Sequence, residues 1–247
     1  MNARNSFSNK STVEEIRARF DNDVDRFSNL NEAQAVAVDA PLMLELLAEA
    51  AARVNPNAES VLDIGCGAGN FALKILQRVP GFSVTLVDLS RPMLDRAVER
   101  IGPETKGKVV AIQEDIREVA LKRETFDVAL GAAVFHHLRT DDEWESVFAK
   151  VFKSLRPGGS FWISDLVEHE DPRIQALFRA RYADFLMAQG GTELKKRVFE
   201  DIEKEDTPRS LTYQLSLLQR VGFGRVEVIH KNSCFAAFGG IKDPRGH

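Results

Sequence analysis

Short apolar runs alternate with helical stretches through the middle of this chain. Each apolar run is five or six residues long, and the stretches between the runs have helical periodicity. This alternation is typical of βαβ units that build a parallel sheet. The predicted strands are residues 60–64, 84–88, 108–112, 126–131 and 160–165. The predicted helices between them are residues 70–78, 90–101 and 141–155, the last of which ends at an Arg-Pro-Gly-Gly sequence.

The chain before the first strand has a helical pattern. A serine and a threonine followed by two glutamates predict a helix start at the beginning of residues 11–27. A second helical stretch covers residues 31–54, and we expect an interruption before Pro41. We therefore predict that residues 1–54 form a helical cap or lid over the main domain, residues 55–247.

The alternation stops after the fifth strand. Helices are predicted at residues 172–188 and 193–220, and the segment 166–206 is interpreted as a helical insertion. Two final strands are predicted at residues 223–231 and 233–242, joined by a turn. The whole pattern predicts an α/β fold with a mostly parallel seven-stranded sheet, a C-terminal antiparallel hairpin and a helical cap.

Composition restricts the classes of protein that this chain can represent. The chain has 247 residues, of which 44% are hydrophobic and 28% charged, which is ordinary for a globular protein and excludes disorder for most of it. The net charge of −4 disfavours an extended nucleic acid as partner. Two cysteines are too few for a disulfide framework, and no apolar stretch of membrane-spanning length is present. We expect a cytoplasmic protein that is not embedded in a membrane.

A glycine-rich segment, VLDIGCGAG at residues 61–69, is the sharpest chemical signal. Glycines let a backbone pass close to a ligand, and the helix that follows offers free N–H groups to an anion. An ordinary tight turn between a strand and a helix is the alternative. Asp88 ends the next strand, where its carboxylate can accept two hydrogen bonds from a ribose diol. Glu114 and Asp115 follow the third strand at the same sheet edge.

The motifs along this region resemble the class I S-adenosylmethionine-dependent methyltransferases. They cover residues 60–165 in family order and spacing. A dinucleotide dehydrogenase more often has G-x-G-x-x-G, whereas this loop is G-x-G-x-G preceded by an acid. The matching segments are Asp63-Ile-Gly-Cys-Gly-Ala-Gly69, Val87-Asp-Leu-Ser90, Glu114-Asp115-Ile116, Phe126-Asp-Val-Ala-Leu130 and Leu155-Arg-Pro-Gly-Gly159. The resemblance implies a Rossmann-like fold and S-adenosylmethionine as the cofactor.

The resemblance also implies roles for the residues that follow the strands. His137 is implied to face the methyl-transfer region. The implied cofactor-binding residues are Asp63, Gly65, Cys66, Gly67 and Gly69 for the methionine part, Asp88 for both ribose hydroxyls, Asp115 and the Ile116 backbone for the adenine, Leu89 and Met93 against the base, and Ala132 and Val134 beside the sulfonium.

Methyl transfer from a sulfonium depends more on alignment and exclusion of water than on acid–base chemistry. If the acceptor needs deprotonation, His137 is the first candidate catalytic base, with Asp165 behind it. The pair His136-His137 also raises the question of a metal site. Adjacent residues point in different directions on a regular backbone, and no third ligand has a suitable spacing, so we predict no metal site.

The C-terminal third is similar to the carboxy-S-adenosylmethionine synthase branch of the superfamily. The similarity lies in residues 165–168, in an aromatic helix that includes Tyr182, in residues 189–197 and in residues 217–239. It implies that an arginine in a Lys-Arg pair, Lys196-Arg197 here, reads a carboxylate added to the donor. The alternative is a solvated helix face. The tyrosine of the family's Gly-Tyr pair is replaced here by Gly191, a departure from the family pattern.

Acceptor recognition is expected from the N-terminal helices and the insertion, because these parts lie outside the cofactor-binding pattern. The candidate substrate-binding residues are Phe20, Phe27, Tyr182 and Arg197. Phe20 and Phe27 are seven residues apart on one helix face, which fits core packing or a lid over the cofactor. We predict an enzyme, a methyltransferase acting on a small-molecule acceptor. A transferase acting on the donor itself, a non-catalytic cofactor-binding subunit and a homodimer stay open.

Overall fold

The computed structural model describes Phe7 and residues 9–244 of the chain. The first residues of the predicted N-terminal part, residues 1–54, and the last residues of the predicted main domain, residues 55–247, therefore lie outside the described residues. Four helices precede the sheet: α1 (Val13–Asp21), α2 (Val24–Ser28), α3 (Leu30–Gln34) and α4 (Ala40–Val54). Among the described residues, none of the helices combines the length and the apolarity that crossing a bilayer requires.

The predicted N-terminal helix is two helices. Thr12 begins α1 with a capping box, in which its side chain accepts from the Glu15 N–H and the Glu15 carboxylate accepts from the Thr12 N–H. The helix ends after Asp21, since the Asp-Asn-Asp sequence that follows favours caps and turns over helix interiors. The interruption predicted before Pro41 is confirmed, because α4 starts at Ala40 with the proline in its first turn.

The seven predicted strands form one sheet with the order β3-β2-β1-β4-β5-β7-β6. The five strands in the middle of the chain pair in parallel, and β7 is antiparallel to both of its neighbours. The prediction of a mostly parallel sheet with a C-terminal antiparallel hairpin is confirmed. The strands are β1 (Ser60–Ile64), β2 (Ser83–Asp88), β3 (Val109–Gln113), β4 (Phe126–Ala132), β5 (Leu155–Leu166), β6 (Arg225–Asn232) and β7 (Phe235–Ile241).

The helices after the first strand are α5 (Asn70–Leu76), α6 (Arg91–Ile101), α7 (Asp141–Ser154), α8 (Pro172–Glu205) and α9 (Leu211–Val221). The prediction of one helix over residues 193–220 is wrong. Its first part continues α8, which is kinked at Gly190 and Gly191, where the backbone is not helical. An extended segment then separates α8 from α9, because Pro208 disfavours helical backbone at the residue before it.

Two apolar clusters cover the two faces of the sheet. One includes Leu47 of α4, Ile75 of α5 and Leu94 of α6. The other includes Trp144 of α7 and Leu217 of α9. Because both faces are covered, the last four residues of β1 are buried, and Asp63 is the single acid among them. The carboxyl ends of the parallel strands are left as one open edge of the sheet.

Candidate functional site

A cavity of about 570 Å³ lies at the carboxyl ends of the parallel strands. Helices α1 to α3 and the C-terminal half of α8 close it from outside. The cap is fixed to the loop after β1, since the Asn70 side-chain amide donates to the Phe27 carbonyl at 3.0 Å. Ligands of open α/β sheets bind in a crevice at this edge.

The glycine-rich loop between β1 and α5 has a conformation that requires glycine. Gly65 and Gly67 have φ of +60° and +49°. A Cβ at Gly65 would stand 2.5 Å from the Val134 side chain, whereas a Cβ at Gly67 would meet no protein atom within 4 Å. Because Gly67 lines the cavity, its backbone borders open cavity space without an intervening side chain.

Asp88 sits at the end of β2 and lines the cavity. Its carboxylate accepts hydrogen bonds from the Gly67 N–H at 2.8 Å and from the Ser90 N–H at 2.9 Å. Burial raises the pKa of this carboxyl, and the backbone N–H groups oppose the rise. Asp88 therefore holds the loop in place and faces the ligand space at the same time.

Asp63 is the next-to-last residue of β1 and is only 2% exposed. Its Oδ2 is buried and has no hydrogen-bond partner among the described residues. Burial raises the pKa of this carboxyl to about 7, opposed by the backbone N–H of Ala72 and assisted by Asp88. A buried acceptor without a donor is unfavourable. A cationic or N–H-bearing ligand group in the cavity would supply the missing donor to Asp63.

Most of the other predicted cofactor-binding residues also line this cavity, and one does not. Gly69 caps α5 and faces away from the cavity, where a Cβ would stand 2.8 Å from the Ile101 side chain. Asp115 lines the cavity, but its carboxylate also holds Arg117 through two hydrogen bonds. The remaining predicted residues on the wall are Cys66, Leu89, Met93, Ile116, Ala132 and Val134.

The expectation that His136 and His137 point in different directions is wrong. Both belong to a 3-10 turn, Phe135–His137, and their ring centroids are 4.4 Å apart on the same wall of the cavity. A tight turn, unlike a strand or a helix, lets neighbouring side chains converge. Asp165 hydrogen-bonds to His136.

Asp206 is the third group beside these histidines, so the expectation that no third ligand is available is also wrong. His136, His137 and Asp206 form a cluster whose potential ligand atoms lie within 4.8 Å of one another. The acid is 69 residues from His137, and the mistaken prediction of a continuous helix placed it in a helix interior. The proline two residues later was the signal that could have moved it to a helix end.

All four predicted substrate-binding residues line the cavity. Phe20 and Phe27 pack with ring centroids 5.6 Å apart, and Phe20 meets the edge of His137. The Tyr182 hydroxyl donates to the Val36 carbonyl at 2.7 Å, which ties α8 to the cap. Arg197 is exposed at the rim and forms no ion pair with the described residues.

Arg19 and Glu205 are wall residues that sequence reasoning missed. The guanidinium of Arg19 donates to both carboxylate oxygens of Glu205, at 2.8 and 2.5 Å. This pair joins α1 to the end of α8 across 186 residues, a separation that no local pattern reports. Carboxylates outnumber guanidinium groups on the cavity wall by nine to four, which favours a ligand with cationic groups.

Comparison with known proteins gives a family match and several relatives. A family described as "Methyltransferase domain" matches residues 61–159. A carboxy-S-adenosyl-L-methionine synthase of Aeromonas salmonicida (strain A449) is 30% identical over 196 residues, covering 76% of this chain and 74% of that protein. The synthase of the same name from Shewanella sp. (strain W3-18-1) is 29% identical and is covered over 78% of its length.

Solved structures with the same fold are more distant in sequence. Human N-acetylserotonin methyltransferase in complex with SAM has a TM-score of 0.61 at 17% identity, covering 92% of this chain and 56% of that one. A 1,6-didemethyltoxoflavin-N1-methyltransferase of Burkholderia thailandensis, with its substrate and S-adenosylhomocysteine bound, also has a TM-score of 0.61. It is 16% identical and covers 92% of this chain and 87% of that one. These likenesses establish the fold.

Proposed function

The chain belongs to the class I S-adenosylmethionine-dependent methyltransferase superfamily, and we propose that it transfers the methyl group of that cofactor to a small molecule held in the cavity. It is an S-adenosylmethionine-dependent enzyme with the domain of that family. The observation that carries the proposal is the cavity itself, which extends from the glycine-rich loop to two histidines beneath a helical cap. A subunit that only binds the cofactor would not need this second compartment.

The cavity wall fits the cofactor. The orphaned Oδ2 of Asp63 suits the ammonium group of its methionine part, and the open space above Gly67 suits close approach of the backbone. Asp88 is the proposed partner of the ribose hydroxyls. Its carboxylate oxygens accept one backbone N–H each, which leaves acceptor capacity on both. Asp115, Ile116, Leu89 and Met93 would enclose the adenine.

S-Adenosylmethionine supplies a methyl group that is already activated by the sulfonium. The protein then has to align the acceptor, exclude water and take up a proton where the acceptor carries one. Ala132 and Val134 would pack beside the sulfonium. His137 is the proposed base, because it lines the cavity between the end of β4 and the cap. Asp165 acts on His136 and reaches His137 only through its neighbours.

Residues 1–54 are proposed to serve as the lid. Phe20 and Phe27 present apolar surface to the cavity from α1 and α2, and both side chains stand over the compartment that contains His137. A lid of this kind excludes water from the transfer step and orders the acceptor. Tyr182 would complete the acceptor wall from α8.

The experiment for this proposal is mass spectrometry of the small molecules that co-purify with the folded protein, followed by incubation with S-adenosylmethionine. We expect bound S-adenosylmethionine or S-adenosylhomocysteine, and an acceptor whose mass increases by one methyl group. The matched control is Gly67→Val, which keeps the cap and the histidines and fills the proposed donor space. Methylation that is equal in the variant would contradict the proposed site.

The carboxylated donor is the second candidate, because the relatives named above are carboxy-S-adenosyl-L-methionine synthases. Arg197 lines the cavity and has a planar donor fork that suits a carboxylate. The same mass spectrometry separates the two donors. A carboxylated S-adenosylmethionine in the purified protein would favour the second candidate, and plain S-adenosylmethionine the first.

The setting of the reaction belongs to the same proposal. We propose a cytoplasmic enzyme, consistent with two buried cysteines that are not joined in a disulfide. The acidic cavity wall supports a small acceptor over a nucleic acid. A homodimer stays open, and size-exclusion chromatography with light scattering tests it.

A further inference from the structure

Four titratable side chains stand in a row along the acceptor side of the cavity. Asp165 hydrogen-bonds to Nδ1 of His136 through Oδ1 and accepts the Phe135 N–H through Oδ2 at 2.8 Å. Nε2 of His136 lies 3.7 Å from Oδ1 of Asp206. The same oxygen lies 3.3 Å from Nδ1 of His137. The row alternates carboxylate and imidazole, and its last member faces the proposed methyl-transfer region.

The first imidazole in the row is positively charged at neutral pH. Burial disfavours the imidazolium of His136, but the carboxylates of Asp206 and Asp165 outweigh this and raise its pKa to about 9. Burial also opposes ionisation of Asp206, yet the two histidines and Arg19 hold the pKa of Asp206 below its usual value. Both ring nitrogens of His136 therefore carry protons, and Asp206 is an anion held between two imidazoles.

The chain around Asp206 is fixed to the histidine turn. The Asp206 N–H donates to the Ile202 carbonyl at the end of α8. The next N–H, of Thr207, donates to the His136 carbonyl at 2.7 Å, and the Thr207 hydroxyl donates to the Leu138 carbonyl at 2.5 Å. The position of the carboxylate therefore follows the position of the turn that carries both histidines.

The two ring nitrogens of His137 have different surroundings, which determines where the proton of the neutral ring lies. Its Nδ1 faces the anionic Asp206, so the proton of the neutral ring belongs on Nδ1. Both ring nitrogens of His137 are buried and neither has a hydrogen-bond partner among the described residues, so the 3.3 Å approach of Nδ1 to Oδ1 of Asp206 is an electrostatic contact. The Phe20 ring, 6.0 Å away edge to face, limits rotation of the imidazole. The Nε2 lone pair is thus not used by any donor in the described part of the protein, and His137 belongs to the cavity wall.

A divalent metal is the competing occupant of the same cluster. A metal would have to bind Nε2 of His136 and displace its proton. That proton is stabilised by the two flanking carboxylates, and its loss would remove a positive charge from between them. The observations therefore favour a proton in this row over a metal ion.

We infer that Asp206 is a positioning residue that fixes His137 as a general base through Nε2, and that Asp165 and His136 hold Asp206 in place. This inference rests on the proposed function. It adds Asp206, 69 residues from His137 in the sequence, to the residues of the proposed site. It also narrows the class of acceptor, because a base is required only where the accepting atom carries a proton. The acceptor is accordingly a hydroxyl compound or a primary or secondary amine.

The chemistry of the step balances without a further reactant. The accepting oxygen or nitrogen forms a bond to the methyl carbon as the bond from that carbon to sulfur breaks, and the sulfur keeps the electron pair. The proton of the acceptor passes to Nε2 of His137. The resulting imidazolium is stabilised by Asp206, and the proton then leaves to solvent when the product departs.

Charged groups from each surrounding element act on this row. Arg19 comes from α1 and is paired with Glu205 of α8, and the Lys10 ammonium donates to the Asp206 carbonyl at 2.5 Å. Asp201 of α8 lies within electrostatic range of Asp206. Arg19, Asp201 and Glu205 line the cavity wall, and none of these charged groups is changed by the variants used below.

The test is an NMR measurement of histidine protonation that needs no acceptor. The probe is the full-length protein with ¹⁵N-labelled histidines, recorded in the presence of S-adenosylmethionine, with signals assigned from His136→Gln and His137→Gln. At pH 7.5 we expect two protonated nitrogens on His136 and, on His137, a proton on Nδ1 alone. Any other state of His137 in the unsubstituted protein overturns the inference.

Asp206→Ala, Asp206→Glu and the control Glu203→Ala extend the measurement. In Asp206→Ala the preference of His137 for Nδ1–H should be lost and the titration midpoint of His136 should fall by more than one pH unit. Asp206→Glu should restore both signals in part. Glu203 is exposed on the same helix and pairs with Arg179, so removing its charge should change neither histidine. An unchanged His137 in Asp206→Ala overturns the inference.

Three further measurements separate a failure of this inference from a failure of the proposed function. Stoichiometric zinc, manganese or iron in the purified protein, lost in Asp206→Ala, would show a metal site and overturn the proton row. An acceptor recovered by mass spectrometry whose accepting atom has no proton would overturn the assigned acceptor class. Calorimetry of S-adenosylmethionine binding tests the proposed function by itself. Absence of binding would sink that function whatever the histidine spectra show.

Discussion

The two halves of the cavity are built from different kinds of sequence information. The donor half consists of the ends of β1 and β2 and the loops that follow them, within residues 61–93, together with residues that directly follow β3 and β4. The acceptor half joins Phe20 of α1, His137 of a turn after β4 and Asp206 beyond α8. The first half comes from successive strand ends, each followed by a local motif, whereas the second exists only when distant segments are packed together. The donor half can therefore be tested by single substitutions, and the acceptor half needs measurements of coupling.

Gly67→Val should have the largest effect in the donor half. A Cβ at this position meets no protein atom within 4 Å, so the branched side chain would occupy ligand space and not collide with the protein. We expect a folded protein without measurable S-adenosylmethionine binding in calorimetry. Backbone strain at φ of +49° is expected to cost about 1–2 kcal/mol of stability.

Gly81→Val separates the steric effect from the strain. Gly81 also has a positive φ, +87°, and open space around it, but it precedes β2 and does not line the cavity. Its variant should lose similar stability and keep its affinity for S-adenosylmethionine. Loss of binding in both variants would mean that strain, and not the ligand space at Gly67, causes the defect.

Asp88→Ala should have the next largest effect. It removes a carboxylate proposed to accept two ribose hydroxyls and leaves the Gly67 N–H without its partner. We expect a loss of roughly 2–4 kcal/mol in S-adenosylmethionine binding, measured by calorimetry. Asp95→Ala is the control, because Asp95 is an exposed acid on α6 paired with Arg91. Equal affinities for the two variants would end the ribose assignment.

The contrast between the halves also explains what the sequence could predict. The strands and the glycine-rich loop are encoded by local patterns, an apolar run that must be buried and a turn that requires positive φ at Gly65 and Gly67. The predicted mostly parallel sheet with its C-terminal antiparallel hairpin is confirmed. Gly69 shares the same local pattern but packs on α6, so the motif alone does not state which glycine faces the ligand.

The acceptor half was predicted only in part. Phe20 and Phe27 could be proposed because their spacing puts them on one face, although α1 ends between them. Asp206 could not, because its position depends on the tie between Thr207 and the histidine turn, a contact across 71 residues. Long-range ties of this kind carry no local periodicity.

Burial raises the pKa of Asp63 to about 7, which predicts that the affinity for S-adenosylmethionine depends on pH. In the free protein the carboxyl is mostly protonated below pH 7, and a cationic donor favours its ionised form. Binding must then release a proton below pH 7, so the affinity should fall roughly tenfold per pH unit on acidification and level off above pH 7. Calorimetry between pH 5.5 and about 7.5 in buffers of different ionisation enthalpy measures both quantities.

Asp63→Asn is the control for this pH dependence. Asparagine keeps the size of the side chain and cannot ionise, so its affinity should be lower and constant across the same range. A variant that retains the acidic fall in affinity would assign the titration to another group, for which Asp88, with its raised pKa, is the alternative.

Arg197→Lys should have the smallest effect. This substitution tests whether the acceptor half contributes to binding of the donor. Arg197 is exposed at the cavity rim and forms no ion pair with the described residues. Removing an exposed charge altogether costs under about 1 kcal/mol, and lysine keeps the charge, so the affinity for plain S-adenosylmethionine should stay within roughly twofold. Lys196→Ala is the control on the same helix turn, 66% exposed and 4.0 Å from Glu200.

A carboxylate on the donor or the acceptor would change this result. Lysine keeps the charge of Arg197 but cannot reproduce its bidentate geometry, so kcat/KM for a carboxylated ligand should fall about tenfold or more in Arg197→Lys. Plain S-adenosylmethionine would still bind normally. A large loss of kcat/KM with the carboxylated ligand alone would therefore show that Arg197 recognises that ligand and is not merely a solvated side chain at the rim. Parity of Arg197→Lys and Arg197→Ala with the parent protein in both measurements would end the carboxylate hypothesis.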